Sequence, residues 1–151
     1  MKLRQLIVLT GITLLSQAAL ANITVQSFSL AAGQGCDNFT GKWAGGGTVK
    51  ATVIFPITCH YNGIATVVPN QNGYNVHVDL TKDSGICPDH ESLDLPGTCQ
   101  NGAIKLQTDS ANLHGEMNPA GTEANLAGTV KFNIAGSTVN ADISDMHLKK
   151  Q

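Results

Sequence analysis

The chain has 151 residues and a formal net charge of −2, from nine basic and eleven acidic side chains. No run of Lys or Arg supplies the clustered positive charge that nucleic acids and anionic membranes draw on, so no nucleic-acid partner is expected. Four cysteines in so short a chain point to two disulfides.

In chain order, Met1-Lys2-Leu3-Arg4, the apolar run Leu6 to Leu15 and the small-residue exit Ala19-Leu20-Ala21 form the three parts of a secretory signal. Residues 1–21 are therefore expected to be a cleaved leader of bacterial type. It would carry a single all-β domain, residues 22–151, across the inner membrane to the periplasm or the medium. A bilayer-spanning helix needs about 20 successive apolar residues, and Thr10, Thr13, Ser16 and Gln17 interrupt this run. No second apolar run follows, so no stable membrane insertion is expected after cleavage. Residues 22–151 keep seven basic and all eleven acidic side chains, a mildly acidic set.

From Asn22 onward, apolar residues recur with period two, and Gly and Thr are frequent, which predicts antiparallel sheet. A first strand is predicted over 23–30 and a surface loop, held by Cys36, over 31–38. Strands follow over 48–55, 57–61 and 64–68. Next, Val76, Val78 and Leu80 alternate with Asn75, His77, Asp79 and Thr81, giving one apolar and one wet face. A longer loop is predicted over 82–101, then strands over 103–108, 112–118 and 126–134. Ala135-Gly136-Ser137 reads as a tight turn into Val139, Ala141 and Ile143. The apolar phase then slips by one, to Met146 and Leu148, which predicts a bulge near Asp145.

Asn62-Gly63, Asn72-Gly73, Asn101-Gly102 and Ala120-Gly121 punctuate the pattern. The fold class expected is an antiparallel meander of about eight or nine strands, closed or nearly closed into a barrel because closure removes sheet edges, with a β-sandwich as the alternative. Its interior would collect Val49, Ala51, Val53, Phe55, Val76, Val78, Leu80, Ile104, Leu106, Met117, Leu126, Val130, Phe132 and Ile134.

Cys36, Cys59, Cys87 and Cys99 allow three pairings. Short-range closure across the Pro88, Pro96 and Gly97 segment favours Cys87 with Cys99, leaving Cys36 with Cys59. In the loop-entropy picture each bridge contributes about 3 kcal/mol. No pair has the Cys-x-x-Cys spacing of a zinc site, so no metal is expected there.

Catalytic chemistry has little to stand on. There is no Gly-x-Ser-x-Gly elbow, no cofactor motif, and the thiols are committed to disulfides, so the chain is read as a non-enzyme without cofactor. His77 with Asp79 and His114 with Glu116 share the wet faces of two strands and would assemble a four-ligand site only if those strands were neighbours. Pro88, Asp89, His90 and Glu91 form a candidate interaction loop.

Phe39-Thr40-Gly41-Lys42-Trp43 resembles the F-x-G-x-W signature of the lipocalins, a calycin-type barrel family. The resemblance implies that Gly41 permits close backbone approach, that Trp43 closes one end of a barrel, and that a small apolar ligand binds inside. The expected function is an exported, non-catalytic binding protein for such a ligand. The alternative is a loop-mediated interaction module, such as an inhibitor of a secreted hydrolase or a host-directed secreted protein.

Overall fold

The alternating pattern becomes eight antiparallel strands in a computed structural model that describes residues 35–134 and 136–151. After one 3-10 turn, Cys36–Asn38, come β1 (Gly41–Thr52), β2 (Pro56–Asn70), β3 (Gly73–Ser84), β4 (His90–Gln100), β5 (Ala103–Gln107), β6 (Ala111–Met117), β7 (Glu123–Ile134) and β8 (Ser137–Lys150). Each strand pairs with the next, and β1 pairs with β8, so the meander closes into a barrel with no sandwich. The expected leader over 1–21 and the expected strand over 23–30 lie outside the described residues.

Closure sorts each strand into an inward apolar row and an outward wet row. Val49, Val67, Val76, Ile104, Leu106, Leu126, Val130 and Phe132 are buried in one cluster, while Lys50, Asn75, His77, Lys105 and Lys131 point outward to solvent. Fully burying one such Val, Leu, Ile or Phe contributes about 1.5–3 kcal/mol. An apolar inside with a charged outside is the reverse of a membrane-spanning barrel. Among the described residues no helix is long and apolar enough to cross a membrane.

Tight curvature is met by a bulge and by glycine. Asp145 takes a left-handed φ of 55°, and β8 shifts register there against both β1 and β7, at the position the phase slip indicated. Gly63 allows β2 to run unbroken where a turn was expected. A Cβ at that position would collide with the Asp79 carbonyl oxygen of β3, so the backbones approach more closely than any other residue permits. The predicted strands 57–61 and 64–68 are thus one strand, β2.

Three other expectations are corrected. The 82–101 segment is mostly strand: β3 continues to Ser84 and β4 begins at His90. Leu93 and Leu95 face inward, alternating with Ser92, Asp94 and Pro96. Pro96 is tolerated because the β4 ladder with β5 starts only at Gly97, leaving no partner for the missing N–H.

Secondly, the disulfides are Cys36–Cys99 and Cys59–Cys87, not Cys36–Cys59 and Cys87–Cys99. Extended β4 separates Cys87 from Cys99 by roughly 3.3 Å per residue, many times the reach of a disulfide. One bridge therefore serves each end of the barrel. Thirdly, Val53 and Phe55 do not reach the interior, because β1 ends at Thr52 and the chain turns over 53–55, leaving Phe55 58% exposed.

Candidate functional site

The site is framed by two plugs. At the end where the chain enters β1, Trp43 is only 1% exposed, and its indole Nε1 donates to the Phe39 carbonyl at 2.8 Å. Phe39 in turn meets Tyr74 edge-on, with ring centroids 5.0 Å apart. Lys150 comes from the far end of the chain, with its ammonium 5.6 Å from the Trp43 ring centroid. That ammonium donates to the Thr40 carbonyl at 2.9 Å and also to the Asn38 carbonyl. The Cys36–Cys99 bridge fixes the 3-10 turn to β4. Gly41 adopts φ 112°, a conformation that disfavours any side chain, so it supplies the bend that brings Phe39 over Trp43.

At the opposite end the β3–β4 loop folds inward. Cys87 is buried against Cys59, the Tyr61 hydroxyl donates to the Pro88 carbonyl at 2.8 Å, and the Tyr61 ring stacks on Phe132 at 6.1 Å. Burial, then the negative fields of Glu91 and Asp89, push the Tyr61 hydroxyl pKa up to about 12. Asp89 sits 2.6 Å from the Lys82 ammonium, whose hydrogen bond and charge hold its carboxyl below the usual range. His90 and Glu91 start β4, with His90 Nδ1 3.4 Å from Thr81 Oγ1. Pro88 and Asp89 thus brace the plug, while His90 and Glu91 belong to the wall.

Between the plugs lies a cavity of about 40 Å³. Val78, Leu93, Met146 and Leu148 border it from β3, β4 and β8, and Val49, Tyr61 and Ala65 border it from β1 and β2, where Gly45, Gly47 and Gly63 add no side chain. Among the described residues the core is apolar apart from the Tyr61 hydroxyl, which is committed to the Pro88 carbonyl, and the Ser144 hydroxyl oxygen, which is buried without a hydrogen-bond partner. The volume exceeds the 10–15 Å³ or so that one water needs, and an apolar lining keeps such a space dry. Ligand pockets for drug-sized molecules run to about 300–1,000 Å³. The space therefore fits a guest of few heavy atoms. Leu93, assigned to a loop in the sequence, is part of this lining; its alternation with Ser92 and Asp94 was the signal, masked by the prolines around it.

Outside, His77 lies on β3 with Nδ1 2.7 Å from Asp94 Oδ1 on β4 and Nε2 3.4 Å from Asp79 Oδ2. The Asp94 hydrogen bond, then the charge of Asp79, raise its pKa above the ordinary imidazole value. His114 and Glu116 are on β6, which neighbours β5 and β7. The four-ligand site therefore cannot assemble: β4 and β5 stand between β3 and β6. No protein-family model and no curated protein sequence matches the chain.

Proposed function

We propose that the chain is an exported, non-catalytic binding protein that takes a small apolar ligand, or a short apolar group, inside a lipocalin-like barrel. The observation that carries this reading is the cavity between the plugs, lined by aliphatic side chains, glycine and Tyr61, whose hydroxyl is committed to the Pro88 carbonyl. Trp43 at one closed end and the meander around it support the lipocalin-like comparison, and two disulfides suit an oxidising compartment. Native mass spectrometry of the protein recovered after export tests it: a bound, displaceable apolar mass is expected. Only ligand-free protein that also resists loading with small hydrocarbons would reject it.

A second reading, a loop-mediated interaction module, rests on the rigidity of the β3–β4 loop. Cys87, Pro88 and Asp89 are each anchored, to Cys59, Tyr61 and Lys82, so presenting the loop to a partner costs little ordering entropy. Photocrosslinkers at Ile86 and, as control, at Ile64 on the outer wall distinguish it. A specific adduct from the loop position alone favours this reading, and equal labelling from both discards it.

A further inference from the structure

In an antiparallel meander the β1–β2, β3–β4, β5–β6 and β7–β8 connections all fall at one end, the end plugged by Tyr61. There the β1–β2 turn presents three successive apolar residues to solvent: Val53 at 38%, Ile54 at 91% and Phe55 at 58% exposure. Ile86, on the neighbouring β3–β4 loop, is 65% exposed. The two loops are held together, since the Cys59–Cys87 bridge joins β2 to the β3–β4 loop and Gly85 packs against Thr58 and Cys59. Runs of exposed apolar residues this long are rare without a function.

The charge pattern narrows the occupant. Residues 51–59, 84–88 and 132–141 contain no charged side chain. Asp89 is neutralised by Lys82. Of the other acids of that end, Asp83 is exposed on β3 beside the loop and Glu91 lies on β4, while Asp109 lies on the short β5–β6 connection, where Ser110 sits level with Lys131, so it stands back from the β7–β8 turn. The tip has none of the Trp, Tyr or Arg that anchor most protein hot spots. An apolar tip flanked by the acidic side chains of Asp83 and Asp109 matches a surface that is itself apolar beneath a neutral rather than an anionic interface.

We infer that this end of the barrel docks reversibly on a neutral phospholipid bilayer, with Ile54, Phe55 and Ile86 entering the interface while the barrel stays in water. The four exposed side chains together offer an apolar area comparable with a single acyl anchor, whose binding constant is on the order of 10⁴ M⁻¹. Attachment would be transient and indifferent to salt, because a neutral bilayer presents no net charge for Asp83 or Asp109 to meet.

Sedimentation with vesicles of pure phosphatidylcholine tests this on the protein as its cell processes it, the amino terminus being read by mass spectrometry. The wild type is compared with an Ile54→Ser/Phe55→Ser variant and an Ile64→Ser wall control, which share that terminus. Far-ultraviolet dichroism and melting confirm the fold of each. The expected result is salt-independent binding at millimolar lipid, reduced at least about tenfold by the tip substitutions and unchanged in the control. Three results overturn the inference: no sedimentation, binding that the tip variant retains, or binding confined to phosphatidylglycerol vesicles and abolished by salt. A tip needed to capture a partner protein but silent towards vesicles would overturn it equally.

Discussion

Replacing Trp43 separates a barrel plug from an ordinary core residue. The indole is almost wholly buried, donates to the Phe39 carbonyl and lies beneath the Lys150 ammonium. Truncation to Ala removes the whole ring and leaves a space the surrounding strands cannot fill, at a cost of about 3–5 kcal/mol. Trp43→Phe keeps most of the apolar contact but leaves the Phe39 carbonyl without its donor, which costs about 1–3 kcal/mol. Lys150→Met removes the cation over the ring, worth about 0.5–1 kcal/mol. Urea titration followed by far-ultraviolet dichroism measures all three, with the double variant Trp43→Phe/Lys150→Met closing a cycle. The two losses should be less than additive, because each breaks the same junction between Phe39, Trp43 and the last strand. A loss below about 1 kcal/mol for Trp43→Ala, or strict additivity in the cycle, would show that this end is not held by the indole.

Other expectations follow from single contacts. Tyr61→Phe should lower stability at neutral pH, yet the variant should hold up better in strong alkali. The folded wild-type phenol has its pKa raised above the ordinary value of 10 to about 12, so its contribution is complete below pH 10 and declines as pH rises through 12; parallel wild-type and variant melts with no such divergence would contradict this. A proton NMR titration of His77 should give a midpoint above the ordinary imidazole value, returning towards it in Asp94→Asn; its contribution to stability is present at low pH and fades as pH rises through that raised midpoint. Gly63→Ala should cost at least about 1–3 kcal/mol by forcing β2 away from the Asp79 carbonyl, and a neutral effect would mean the approach is looser. Peptide mapping without reduction should recover Cys36 joined to Cys99 and Cys59 to Cys87, and any other pairing would contradict the register of β4.

Much of the architecture was legible because period-two alternation in a closed sheet reports burial directly. Val76-Val78-Leu80 and Leu126 through Ile134 show it, and the phase slip at Asp145 located the bulge. What escaped was decided by contacts between distant strands. Pro96 and Gly97 look like loop residues, but Pro96 sits where β4 is paired with β3 alone and not yet with β5, so its missing donor does no harm. Asn62-Gly63 looks like a turn, yet Gly63 serves close backbone approach inside a long strand. The disulfides were misassigned for the same reason, since closeness in sequence means nothing once β4 is extended. Val53 to Phe55 carry no Gly, Pro, Asn or Asp and so gave no turn signal. Of the cavity lining, Val78 was expected in the interior and Met146 and Leu148 carried the apolar phase after the slip, whereas the size of the space depends on how all eight strands pack.

The direct test of the binding claim is the melting temperature of wild type and Val78→Leu across a graded series of small hydrocarbons. A guest that enters only the folded barrel stabilises it, by about 2.7 kcal/mol at a concentration one hundred times its dissociation constant. The expected result is stabilisation of the wild type by the shortest members, falling off with size, and little or none in the variant, whose extra methylene occupies the space. Stabilisation by no member of the series, or equal stabilisation of both proteins, would contradict an apolar site inside the barrel.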